Sequence, residues 1–247
     1  MHNLGRTRSS QQPNHLLLTS DTFVRTALPG MKACSAIVHV SPALGARFAE
    51  YTAEFEAGGE LGETPGQRFI FVIEGKLKLE TDDKSSELSA RGYAYLPEGL
   101  QHRVKANQIS RVAVIEKPYQ PLSPLDKPRL IISNEDAVSS HPLDDDPDLQ
   151  VKCLLPDEMG FDFAVNTMVY QPGASLSMVE MHVMEHGLIM LEGGGIYRLG
   201  DSWYPVTAGD FIWMSPWCPQ WFGALGKAPA KYLIYKDWNR HPLAPQR

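Results

Sequence analysis

The sequence lacks most of what would mark a membrane, secreted or nucleic-acid-binding protein. Its 247 residues contain no apolar run of the ~18 residues that read as a membrane span. Cysteine is scarce: Cys34, Cys153 and Cys218 stand far apart, odd in number and without a C-x-x-C pair. That excludes a disulfide framework and reads as buried free thiols in a reducing cytosol. The N-terminus, MHNLGRTRSSQQPNHLLL, has only a short apolar run and no small-residue cleavage site, so a secretory signal is not expected. Basic charge is also in deficit, with 23 Lys and Arg against 29 Asp and Glu and a net charge of -6. Phosphate binding needs clustered cations, so nucleic acid is excluded as a partner. These absences leave a cytoplasmic protein with a small-molecule substrate as the expectation.

Turn formers are plentiful, with 20 glycines and 19 prolines. Between them lie short runs rich in β-branched and aromatic residues, such as SAIVHV, RFIFVIEG, RVAVIEK, DFIWMSP and KYLIYKDW. Many short strands with regular turn signals predict an all-β sandwich or barrel. The chain also repeats itself. RFIFVIEGKLKLE around Gly75 matches HGLIMLEGGGIYRLG around Gly193, 118 residues later. The same offset pairs His102, in GYAYLPEGLQH, with Gln220, in GDFIWMSPWCPQ. Two copies of one β unit are therefore expected. One spans residues 1–130, with an extended N-terminal segment in front, and the other spans 151–247. The stretch SNEDAVSSHPLDDDPD (133–148) is polar, acidic and proline-containing, so 131–150 reads as a linker. Its clustered carboxylates lack the glycine and terminal glutamate of a calcium loop and read as a solvated charge run.

The chemistry concentrates in EMHVMEHG, residues 180–187. As a helix, this is the H-x-x-E-H of an inverted zinc peptidase, with Glu185 as base. Met, Leu and Glu favour a helix. The equivalent stretch of the first copy, GETPGQRFIFVIEG, holds Pro65 and Gly66 before a β-type run and cannot form a long helix. We therefore expect strand, turn and strand over 180–192. Glu180 and His182 then point to one side, His186 comes from the returning strand, and Gln220 comes from a later one. One carboxylate, two imidazoles and one amide oxygen suit an octahedral Mn²⁺, Fe²⁺, Co²⁺ or Ni²⁺ better than a closed structural zinc site. The amide in place of a third histidine tilts the set toward Mn²⁺. In the first copy, Gly62, Thr64 and Arg68 stand where Glu180, His182 and His186 would. His102 alone holds no metal, so that copy reads as scaffold.

Two further residues have open readings. Alternation along KYLIYKDWN puts Tyr232, Ile234 and Lys236 on one face. Lys236 either reaches solvent at a barrel mouth or faces the cavity and meets an anionic substrate. Tyr197, in GGGIYRLG, is a core tyrosine unless the cavity is a site.

The motif order resembles the two motifs of the cupin superfamily, small antiparallel barrels with a metal inside, although Glu precedes the histidines here and Gln replaces the last histidine. The likeness sharpens over LPDEMGFDFAVNTMVYQPGASLSMVEMHVMEHGLIMLEGG and onward to KDWNRHPL, with LGARFAEYTAEFEAGG and GYAYLPEG in the first half. These segments, and above all E-x-H-x-x-x-H-G, the later Gln and the Y-x-x-x-K of the last strand, resemble the (S)-ureidoglycine aminohydrolases, two-cupin enzymes of allantoin breakdown in purine catabolism. The resemblance implies hydrolysis of ureidoglycine to ureidoglycolate with release of ammonia at a Mn²⁺ centre. It places the metal on Glu180, His182, His186 and Gln220, and the substrate against Tyr197, Tyr232, Lys236 and Gln220. Glu180 and Lys236 are the candidate catalytic residues. Cupins commonly associate through edge strands, so a homo-oligomer is expected. Two alternatives stand beside this reading: a cupin dioxygenase or isomerase, and a non-catalytic metabolite-binding bicupin.

Overall fold

The computed structural model describes residues 6–243. Strands dominate, and the helical pieces among the described residues are three 3-10 turns, Ser20–Thr22, Pro42–Leu44 and Glu135–Ala137. No helix is long and apolar enough to cross a membrane. The chain divides into two compact units. One runs from Val24 to Val138, and the other joins the residues up to Phe23 with those from Ser139 onward. Each is an antiparallel β structure around its own apolar interior. Tyr51, Phe55, Ile70, Val72, Val112 and Val114 lie at the centre of the first. Tyr170, Leu188, Met190, Ile212, Phe222 and Tyr232 lie at the centre of the second.

The internal repeat has a physical cause. Gly75 separates strand Gln67–Glu74 from Lys76–Thr81, and Gly193 separates His186–Glu192 from Gly194–Leu199. Both glycines have positive φ, 85° and 65°. A Cβ on Gly75 would stand 2.6 Å from the Ile109 carbonyl oxygen, and one on Gly193 would stand 2.4 Å from that of Pro229. No other residue fits either place without moving backbone.

The expected boundaries shift at two points. The N-terminal segment does not lead into the first unit. Strands Ser10–Gln12 and His15–Leu18 form a hairpin, and His15–Leu18 pairs antiparallel with Phe211–Met214 of the second unit. Leu16 and Leu17 are buried there. Arg8 adds a two-pronged ion pair to buried Asp210, at 2.6 and 3.0 Å. The expected linker is mostly structured. Ile131–Asn134 pairs with Gly92–Leu96, and His141–Leu143 forms a hairpin with Asp146–Cys153. Asp144 and Asp145 take positive φ at its tip, 51° and 61°. Asp tolerates this conformation in tight hairpin turns, so the acidic run is a turn signal. Cysteine burial also differs from expectation: Cys218 is buried, Cys34 is half-buried and Cys153 is exposed.

One carboxyl in the first unit has a measurable consequence. Glu50, on strand Ala49–Leu61 between Val40 and Ile115, is fully buried, and neither of its oxygens has a hydrogen-bond partner. Burial pushes its pKa well above the usual carboxylate range. The folded chain therefore holds this proton more tightly than the unfolded chain. The resulting stability is complete below the unfolded pKa and is lost as pH rises through the folded one. Glu50→Gln is expected to raise the melting temperature by a few degrees at pH 8 and to change it little at pH 4. Melting curves at both values check this, and a gain independent of pH would contradict it.

Candidate active site

The segment expected as strand, turn and strand begins differently. Residues 176–185 form no regular strand, and strand His186–Glu192 starts at the second histidine. No helix covers 182–186 either. The irregular stretch is pinned by an antiparallel bridge between Glu180 and Gln220. The Glu180 N–H donates to the Gln220 carbonyl at 2.8 Å, and the Gln220 N–H donates back at 2.9 Å. The Trp217 N–H then donates to the His182 carbonyl at 2.7 Å. Glu180 and Gln220, forty residues apart, are thus backbone partners. Glu185 belongs elsewhere: it is buried, accepts from the Trp213 indole N–H at 3.1 Å, and its own N–H donates to Asp237 at 2.7 Å.

Around this bridge the polar side chains converge. His182 Nε2 lies 3.0 Å from Glu180 Oε2, and the two imidazoles pack edge-on with centroids 5.3 Å apart. His186 is buried, and its strand register sets it opposite Lys236 on Ala230–Asp237. Burial first, then the nearby charges of Lys236 and His182, hold the His186 pKa well below the usual histidine range. A neutral ring keeps a lone pair for a ligand. The Tyr197 hydroxyl donates to Gln220 Oε1 at 3.2 Å, which orients the amide.

Lys236 is half-buried, and burial lowers its pKa, opposed by Cys153 and Glu180. It therefore stands within electrostatic reach of the Glu180 carboxylate, which favours the cavity-facing reading over the solvent one. Tyr232 and Tyr170 share a buried hydrogen bond of 2.7 Å between their hydroxyls. Desolvation raises the pKa of Tyr170, Tyr197 and Tyr232 well above the phenol range. All three are hydrogen-bonding phenols at neutral pH and none is a base. Tyr170 was not singled out from sequence. Its signal was the alternation of FAVNTMVY, which sets Asn166, Met168 and Tyr170 on one face.

Among the described residues, no cluster of three or more His, Cys, Asp or Glu stands ready to hold an ion. The Glu180 carboxylate and His182 imidazole are turned on each other, and the fourth donor is an amide. The donor chemistry nevertheless fits a divalent cation of the Mn²⁺ type. One carboxylate, two imidazoles and one oriented carbonyl oxygen come together, Glu180 and His182 half-buried and His186 and Gln220 buried, and no thiolate is among them. A cation there would replace the proton shared by Glu180 and His182. The equivalent place in the first unit is filled by protein. Arg68, which aligns with His186, donates to His102 Nε2 at 2.8 Å and to the Gly62 carbonyl at 2.7 Å. Its guanidinium also pairs with Glu116 at 2.6 Å.

An antiparallel β unit with such donors inside is a cupin, and residues 166–235 match the Cupin domain family model. The similarity extends well beyond that domain. The chain is 40% identical to the (S)-ureidoglycine aminohydrolase of Arabidopsis thaliana over 97% of its own length and 80% of that relative. It is 32% identical to the (S)-ureidoglycine aminohydrolase of Escherichia coli K12, over 92% of this chain and 89% of that one. The crystal structure of a putative glyoxylate-induced protein from Pseudomonas aeruginosa superposes with a TM-score of 0.89 at 28% identity, covering 99% and 95% of the two chains. The chain belongs to the (S)-ureidoglycine aminohydrolase family, and it is a hydrolase.

Proposed function

We propose that this chain hydrolyses (S)-ureidoglycine to (S)-ureidoglycolate and ammonia in purine and allantoin breakdown, with Mn²⁺ held by Glu180, His182, His186 and Gln220. The observation that carries the reading is the gathering of these four donors with Lys236, Tyr197 and Tyr232 in one unit of a chain of this family. The substrate carries a carboxylate, an amine and a ureido group on one carbon. Bound manganese supplies Lewis-acid polarisation and a chelating centre. The protein's own part is positioning and proton handling. Lys236 meets the carboxylate, the protonated Tyr232 donates a hydrogen bond to the substrate, and Tyr197, whose proton goes to Gln220, accepts one from it, which together fix the substrate's orientation. Glu180, at the edge of the donor set, carries the proton to the leaving nitrogen. Water gives its hydroxyl to the carbon, the bond to the amine breaks, and the amine departs with the remaining proton as ammonia. A cytoplasmic, homo-oligomeric enzyme belongs to the same reading.

The test is ammonia release with Mn²⁺ present, on substrate generated in situ by hydrolysing allantoate. Equal rates with and without O₂ are expected. A strict need for O₂ points instead to oxygenase chemistry, and binding without turnover points to a metabolite-binding bicupin. Lys236→Met is expected to keep its manganese by elemental analysis and to lose at least ~10²-fold in kcat/KM. Unchanged kinetics in that variant demote Lys236 to a rim residue.

A further inference from the structure

The hydrolase site accounts for a carboxylate anchor, the metal donors and two tyrosines, but it leaves the ureido end of the substrate without a partner. Asn166 lies on strand Phe163–Tyr170 and is 7% exposed. It shares its strand face with Met168 and Tyr170, which lie in the interior of the second unit. Its cross-strand neighbour is Ile234, so Lys236 and Tyr232 stand on the two diagonals beside it. Diagonal neighbours sit ~7–8 Å apart, a spacing that lets their side chains bracket a molecule of a few heavy atoms. The Asn166 side-chain amide makes no hydrogen bond among the described residues. A polar side chain without a protein partner on a largely apolar strand face has its donors and acceptor available to a ligand. The polar atoms of Asn166 are also not sealed off as those of Glu50 are, which leaves them open to a small molecule.

We infer that Asn166 recognises the ureido group, resting on the reading of this site as a ureidoglycine site. A primary amide offers one carbonyl acceptor and two N–H donors. A ureido terminus offers the complementary set, a carbonyl acceptor and an NH₂ donor. The two pair edge to edge. The Asn166 oxygen accepts from the terminal NH₂, and the Asn166 NH₂ donates to the ureido carbonyl. Lys236 then holds the carboxylate at the other end, and the amine-bearing carbon is directed toward Glu180. A site built this way discriminates against a ligand that lacks the terminal NH₂, because the amide is left unpaired again.

Two inert ligands isolate that contact. N-carbamoylglycine carries the carboxylate and the ureido group, and N-acetylglycine replaces the terminal NH₂ with a methyl. Calorimetric titration of the manganese-loaded wild-type chain is expected to favour N-carbamoylglycine by about tenfold. Asn166→Leu, with manganese content and melting temperature checked, brings the two ligands within about twofold. Asn166→Ala serves if the leucine variant does not fold. Lys236→Met weakens both ligands alike. A wild-type preference that survives in the Asn166 variants overturns the assignment, as does a wild-type chain with no preference or an equal loss of both ligands in the variants. If the wild type binds neither carboxylate, the reading of the site falls first and the role of Asn166 falls with it.

Discussion

His186→Ala and Glu180→Ala each abolish bound manganese and ammonia release together. This is the largest effect expected in the molecule. His186 is a buried imidazole held neutral chiefly by desolvation. Losing one of four donors from an exchangeable divalent site removes most of its affinity, and the chemistry goes with the ion. Elemental analysis should find less than a tenth of the wild-type metal, and kcat/KM should drop by at least ~10³-fold. Glu185→Gln is the matched control. Its side chain serves the Trp213 indole rather than the donor set, and the amide oxygen still accepts that hydrogen bond. It should keep both metal and turnover. A full metal complement in either alanine variant means the ligand set is wrong.

The second large effect lies far from the donors in sequence. Deleting the chain through Leu18 removes the strand that pairs with Phe211–Met214, buried Leu16 and Leu17, and the Arg8–Asp210 ion pair. Two buried leucines contribute roughly 2 kcal/mol each and the partly exposed ion pair up to about 1, a loss on the order of 5 kcal/mol. That is a large share of a domain's net stability. The strand left with an open edge is also the one that pairs with His186 on its other side, through the register His186↔Met214. Hydrogen exchange should show protection lost over 211–214 and 186–189. The amides of Gln67–Glu74, in the other unit, should be unchanged. Retained protection over 211–214 makes the N-terminal hairpin dispensable.

The parts of this design that were legible in sequence are those imposed locally or repeated. Gly75 and Gly193 occupy turns that only glycine fits, so the two copies kept the same letter at the same place. The donor set was legible because Glu180, His182, His186 and Gln220 stand out against a first copy that has lost their counterparts. What escaped is long-range or context-dependent. His15–Leu18 carries an apolar run but nothing that names Phe211–Met214 as its partner. HPLDDDPD has linker composition, yet two of its aspartates make the tightest kind of hairpin turn. Glu180 and His182 were expected on a strand because alternation and irregular backbone look alike over three residues. Arg68 read as a lost ligand, whereas in space it fills the corresponding position and hydrogen-bonds His102. Asn166 and Tyr170 sit in an ordinary strand, FAVNTMVY, whose alternation sets them on one face but carries no chemical signature of its own.

The strand order also sets a timetable for the chain as it is made. His15–Leu18 leaves the ribosome roughly 190 residues ahead of its partner Phe211–Met214. At 5–20 residues per second, that is a wait on the order of ten to forty seconds. Through that interval HLLL is an apolar strand with only Ser10–Gln12 to pair with and its other edge free, while the unit from Val24 to Val138 emerges and folds behind it. The hydrolase unit therefore closes this edge of its sheet only when a segment made before the other unit meets one made after it. A nascent chain released early has a finished first unit and an open sheet edge, which makes it a substrate for chaperones until synthesis ends.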